Sequence, residues 1–143
     1  MSLLVKASVN IYILKGQYVL LSRRKDTGWL DGWLCAPGGH VEENETPIQA
    51  MIREVKEELG LTLSSEELKF ICVAARNAKP TQFVAYEFLL KYKDHKIHNN
   101  EPDKCSELVW AHINSLPEDI IEDFKDIIQK SIIGNEKYLE LGF

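Results

Sequence analysis

The sequence predicts an α/β (α+β) sandwich on a mixed sheet. Three observations carry that expectation: several runs rich in β-branched and aromatic residues, one helix marked at both ends, and a second amphipathic helix near the end. No internal repeat, low-complexity tract or Pro/Gly/Ser-rich linker divides the 143 residues, so a single domain over residues 1–143 is expected.

The elements follow in order. Residues 5–14 favour a strand, Lys15-Gly16-Gln17 is a turn signal, and residues 18–23 return as the second arm of a hairpin. A loop then runs from Lys25 through Trp29 and Trp33 to Pro37-Gly38-Gly39. Thr46 is a helix N-cap, Pro47 suits the first helical position, and Gln49 completes a capping box. Gly60 ends this helix. Ile48, Met51, Ile52, Val55 and Leu59 recur at three and four, giving it one apolar stripe. Residues 68–75, 82–92 and 108–113 read as strands, and the polar stretch 93–104 as a loop. A last helix is expected from about Pro117, with Ile120, Ile121, Phe124, Ile127, Ile128 and Ile132 facing inward.

The formal net charge is −5, from 17 Lys+Arg and 22 Asp+Glu. This acidic balance speaks against general nucleic-acid binding. No apolar run is long enough for a membrane span, and the N-terminus lacks the pattern of a secretory signal. Cys35, Cys72 and Cys105 are odd in number and widely spaced, which suits a reduced, cytoplasmic compartment. The acidity is concentrated: residues 38–61 and 116–126 each sum to −4, while residues 1–37 sum to +3. The second acidic run falls at the start and outer face of the last helix, where it is expected to serve stability and solubility.

The first acidic run carries chemistry. Glu54, Glu57 and Glu58 are three and four residues apart, so their carboxylates leave one patch, expected opposite the apolar stripe. Glu54 and Glu58 repel at i,i+4, and Glu57 and Glu58 sit at the helix end that disfavours anions. Stability alone would not place them there. Converging carboxylates suit a hard divalent cation such as Mg²⁺, and the preceding Gly-Gly pair permits close backbone approach.

From Gly39 the chain reads Gly39-x5-Glu45-x7-Arg53-Glu54-Val55-x-Glu57-Glu58-x-Gly60-Leu61. This resembles the Nudix box, G-x5-E-x7-R-E-U-x-E-E-x-G-U with U apolar, at every specified position. The resemblance to the Nudix hydrolase family implies an α/β/α sandwich with a central box helix and a C-terminal helix. It implies Mg²⁺ as cofactor, with Mn²⁺ as a substitute, held by Glu54, Glu57, Glu58 and the Gly38 carbonyl. One carboxylate, with Glu54 first, would also serve as base for the attacking water. Arg53 and Glu45 would orient the loop and the carboxylates by ion pairing.

Outside the box, Glu101-Pro102-Asp103-Lys104-Cys105 resembles the E-P-x-K-C segment of a MutT-like subgroup. In that subgroup a loop glutamate reaches the metal; here Glu101 is the first choice and Glu107 the second. Arg23 and Arg24 end a strand, where successive residues face opposite ways, so one of them is expected in the cleft. Arg24 aligns better with a phosphate contact of such enzymes, and Arg23 stays open. Gly39 and Phe83 are further candidates for substrate contact. Trp29, Trp33 and Tyr86 are alternative stacking residues, His40 adjoins the metal loop, and Trp110 is expected in the core.

The resemblance thus implies a Mg²⁺-dependent pyrophosphohydrolase of a small phosphorylated substrate. A nucleoside triphosphate comes first, and a nucleotide sugar or ADP-ribose second. A non-catalytic nucleotide-binding module is the alternative of another class, and mRNA decapping is disfavoured by the lack of a basic tract. Many such relatives form homodimers, although the sequence carries no interface signal.

Overall fold

The elements run β1 (Lys6–Lys15), β2 (Tyr18–Arg24), β3 (Leu34–Cys35), β4 (Gly38–His40), α1 (Pro47–Leu59), a 3₁₀ turn at Ser65–Glu67, β5 (Lys69–Ala78), β6 (Thr81–Lys91), β7 (Cys105–His112), α2 (Glu122–Asp126), π-helical turns over Ile127–Ile133, and β8 (Tyr138–Leu141). They come from a computed structural model that describes residues 2–143. All eight strands join one sheet, mixed because β1 runs parallel to β6 and β5 parallel to β8. Among the described residues no helix is long and apolar enough to cross a membrane.

β1 organises the sheet. Its last residues pair with β2 across the Gly16-Gln17 turn, where Gly16 has φ +59°. Its first half pairs instead with β4, placing Asn10 beside Gly38. A cleft therefore opens where β1 leaves β2 and takes up β4. Alternate residues of β1 face opposite layers. Val9, Ile11 and Ile13 join the core beneath α1, while Tyr12 joins the core beneath α2. Burial of both faces explains why the strand reads as nearly continuous apolar sequence.

The ends of α1 are as expected. Thr46 Oγ1 accepts from the Gln49 amide at 3.1 Å, and Gln49 Oε1 accepts from the Thr46 amide at 2.9 Å. Gly60 takes the left-handed conformation at φ 72°. The apolar stripe is narrower than predicted: Ala50, Met51, Val55 and Leu59 are buried, but Ile48 in the first turn remains 41% exposed.

Three short strands escaped the sequence reading: β3, β4 and β8. The C-terminal helix also starts later than Pro117. Leu34 N donates to Asp119 O at 2.9 Å and Ile121 N donates to Leu34 O at 2.9 Å. Those backbone groups are committed sideways to β3, so helix begins only at Glu122. Ile120, Ile121, Phe124, Ile127 and Ile128 are nevertheless buried.

One carboxylate lies within the sheet core. Glu87 on β6 is 1% exposed, and its Oε1 accepts from Asn10 Nδ2 at 3.1 Å. Burial pushes its pKa from 4.5 to about 7, with the Asn10 contact and the Arg76 charge pulling the other way. Between pH 4.5 and 7 the unfolded chain releases this proton while the folded chain keeps it, so stability falls as pH rises through that window. The full effect is about 3 kcal/mol. Urea unfolding of wild type and Glu87→Gln at pH 4.5 and pH 8 should therefore shift in the variant's favour by about that amount at the higher pH. A stability difference that does not change with pH would contradict this.

Candidate active site

Arg53 is the centre of the box helix's polar edge. Its Nε and Nη2 hold Glu45 Oε2 and Oε1 at 2.7 and 2.9 Å, a two-pronged pair. Nη1 reaches Glu54 Oε1 at 2.8 Å and Glu57 Oε2 at 3.3 Å, and Nη2 also donates to the His40 carbonyl at 2.9 Å. One planar group thereby fixes two helix carboxylates, the loop before the helix and the end of β4. The guanidinium pushes the Glu45 pKa down to about 2, and Glu45 in turn raises that of Arg53.

The carboxylates are not opposite the apolar stripe, as the sequence suggested. Glu58 lies seven residues from Met51, about 20° away around the helix, and points into the cleft. Its Oε2 is buried without a hydrogen-bond partner. Burial raises the Glu58 pKa well above the ordinary range, with the charges of Glu54 and Glu101 adding to it. Glu54 is raised too, mainly by burial and against the pull of Arg53. The glycines before the helix make this crowding possible. A Cβ on Gly39 would overlap the Glu54 carboxylate, and one on Gly38 would overlap the Val9 carbonyl and the Asn10 side chain.

Glu101 reaches the cluster because its loop is tied to the end of α1. Asn100 N donates to Glu58 O at 2.9 Å and His98 N to Leu59 O at 3.0 Å, satisfying carbonyls a helix end otherwise leaves free. Gly60 also keeps room there, since a Cβ would sit 3.1 Å from Asn100 Nδ2.

These groups surround a cavity of about 710 Å³, within the range of small-molecule sites. Gly38, Gly39, Arg53, Glu54, Glu57, Glu58 and Glu101 line one part of it; Arg24, Trp29, His40 and Phe83 line others. Glu45 stands behind Arg53, outside the lining. Arg23 and Arg24 are successive residues of β2 and face opposite ways, and the β2–β7 register shifts between them. Arg24 faces the cavity with its guanidinium 4.8 Å from the Trp29 ring and its Nε donating to Trp29 O at 2.7 Å. Arg23 is excluded from the lining: it binds Asp119 at 2.6 Å and Glu107 at 3.0 Å on the outside. Glu107 is thereby engaged away from the cluster as well. Trp33 and Tyr86 do not reach the cavity, and Trp110 is a half-buried neighbour of Tyr92, with ring centres 5.7 Å apart.

Ser8, Asn10 and Arg76, for which the sequence suggests no site role, also line the cavity, as does Phe124, which the sequence places only in the core. Polar residues at alternate positions of an otherwise apolar strand, Ser8 and Asn10, were the available signal. The second acidic run is likewise not simply a solvated face, because Asp119 holds Arg23 and Asp123 holds Arg76 at 2.9 Å.

Among the described residues no three Asp, Glu, His or Cys side chains, as they stand, come together in a group that could hold a metal ion. Arg53 engages Glu54 and Glu57, while Glu58 keeps an unpartnered oxygen. The donor set still fits Mg²⁺, which binds through one or two carboxylates and keeps several waters. The buried, unpartnered Glu58 oxygen is the specific feature that a cation would satisfy.

The NUDIX domain model matches residues 4–130. The chain belongs to the Nudix family. An ADP-ribose pyrophosphatase of Methanocaldococcus jannaschii is 28% identical over 82% of this chain and 71% of its own length. An 8-oxo-dGTP diphosphatase of Proteus vulgaris is 38% identical over 35% of this chain and 45% of its own length. A MutT NUDIX hydrolase from Burkholderia pseudomallei superposes with a TM-score of 0.79 at 25% identity, covering 88% of this chain and 97% of that one. Matches to the first three curated relatives span 38%, 45% and 55% of those proteins' lengths. The Nudix fold thus accounts for the sheet and both helical layers.

Replacing the Glu58 carboxyl should have different effects with and without metal. In EDTA, Glu58→Gln should melt at or above the wild-type temperature, because a carboxyl that is costly to ionise where it lies is gone. Mn²⁺ at about a hundred times its Kd should stabilise wild type by about 2.7 kcal/mol and the variant by much less. Equal stabilisation of both by Mn²⁺ would remove Glu58 from the cation site.

Proposed function

We propose that this Nudix protein is a Mg²⁺-dependent pyrophosphohydrolase that splits nucleoside triphosphates into nucleoside monophosphate and pyrophosphate. The observation that carries this reading is the joining of three features in one cavity: a carboxylate cluster with an unsatisfied buried oxygen, an arginine, and an aromatic wall. A polyphosphate needs the first two, and a nucleoside suits the third.

Glu54, Glu57, Glu58 and Glu101, with the Gly38 carbonyl, are the residues to hold the cation. The bound ion would neutralise phosphate charge and lower the pKa of a coordinated water. Arg53 fixes the Glu54 carboxylate through Oε1, leaving Oε2 to accept a proton from the attacking water. Arg24 presents its remaining donors toward the phosphates. Phe83 and Trp29 offer faces to the base or sugar, and Gly39 keeps the approach to Glu54 open. Mn²⁺ would substitute for Mg²⁺ on the same oxygen donors.

The second reading is ADP-ribose or nucleotide-sugar hydrolysis. It is favoured by the Methanocaldococcus jannaschii relative, whose match extends over most of this chain.

Product analysis separates these readings. With Mg²⁺, nucleoside triphosphates should yield the monophosphate and pyrophosphate, and EDTA should abolish turnover. Glu54→Gln should lower kcat about a hundredfold with an unchanged circular dichroism spectrum. Release of AMP and ribose 5-phosphate from ADP-ribose, with no triphosphate turnover, would replace the first reading by the second. Nucleotide binding without any turnover would leave a non-catalytic module.

A further inference from the structure

The wall of the cavity that faces α2 is polar where a sheet core calls for apolar side chains. Ser8 and Asn10 on β1 stand opposite Ala85 and Glu87 on β6, and Phe83 on β6 stands opposite Arg76 on β5. Directly opposed residues share a sheet face, so all of these project to one side. Ser8 is 6% exposed, lines the cavity, and its hydroxyl has no partner. The Glu87 carboxylate accepts the Asn10 amide NH₂, which leaves Asn10 Oδ1 toward Gly38 and the cavity as an acceptor.

Arg76 supplies the complementary donors. It is 7% exposed, and Asp123 anchors its Nε at 2.9 Å. Its guanidinium carbon lies 5.9 Å from the Phe83 ring and 5.4 Å from the Phe124 ring. No hydrogen bond engages its terminal nitrogens among the described residues, and the residue lines the cavity. A buried cation fixed at one nitrogen and left free at two is a reader of acceptors.

We propose that this wall selects the nucleobase, taking bases whose pairing edge is a lactam, a ring carbonyl beside a ring N–H. Guanine, hypoxanthine, uracil and thymine present that edge. Their carbonyl accepts from Arg76 and their N–H donates to Asn10 Oδ1, with Ser8 able to serve either group and Phe83 beside the ring. Adenine and cytosine present an exocyclic amine in place of the carbonyl, setting donor against donor at Arg76. The assignment rests on the nucleotide reading above and goes beyond it by naming the base.

The sharpest comparison is between inosine and adenosine nucleotides, which differ at this edge. For wild type, kcat/KM should favour ITP, GTP and UTP over ATP and CTP by at least about tenfold. Arg76→Met should bring the ITP/ATP ratio close to one, mainly through KM. Arg76→Lys, which keeps the charge without the planar fork, should lower the ratio and serves if the methionine variant does not fold. Titrations of wild type with IMP and AMP in EDTA, followed by NMR, give the same comparison without metal or turnover, and IMP should bind more tightly. A wild-type ratio near one in turnover and in binding would overturn the proposal. So would an Arg76 variant that weakens all nucleotides equally. IMP preference with no triphosphate turnover would leave this wall's role standing and defeat the pyrophosphohydrolase reading. Turnover without base preference would do the reverse, and neither binding nor turnover would defeat both.

Discussion

The Arg53 guanidinium is the interaction on which the rest of the site depends. Clustered carboxylates repel, and burial makes their charged forms still more costly. A fixed cation on one side of the cluster lets Glu54 and Glu57 remain near Glu58. The same group ties Glu45 and the His40 carbonyl, so the loop and β4 cannot drift from the helix. Glu45 is therefore a positioning residue: it holds the arginine that holds the acids.

Arg53 does not neutralise everything. Glu58 keeps a buried oxygen without a partner, and its pKa is raised by burial and by neighbouring acids. Stability alone would favour glutamine or an apolar residue there. Conflict between local stability and residue choice is what a ligand site retains. The polar wall formed by Ser8, Asn10 and Arg76, with Glu87 buried behind Asn10, shows the same conflict within a sheet core. Both departures border one cavity, which opens where β1 exchanges β2 for β4.

The box helix was legible because its signals are local. Thr46, Gln49 and Gly60 mark its ends by backbone chemistry that needs no distant partner, and the glutamate spacing follows from helical geometry. Glu101 lines the cavity while Arg23 holds Glu107 outside it, and the reason is tertiary: Asn100 and His98 dock on the end of α1. The start of α2 was misplaced because Leu34, far away in sequence, takes the backbone groups of Asp119 and Ile121. Arg76 gave no local sign of its role, since its meaning depends on Asp123, 47 positions away. Strand parity predicts that Arg23 and Arg24 diverge, but which one enters the cavity depends on distant partners: Glu107 and Asp119 hold Arg23 outside, which leaves Arg24 in the lining.

The central claim is that the Arg53-organised cluster, rather than any other acidic surface, receives the divalent cation. Paramagnetic broadening of backbone amides by substoichiometric Mn²⁺ tests it most directly. The account predicts loss of signal centred on Gly38, Gly39, Glu58 and Glu101, with Tyr138–Leu141 spared. Broadening centred on the acidic stretch from Glu118 to Asp126, with Gly38 and Glu58 unaffected, would contradict it.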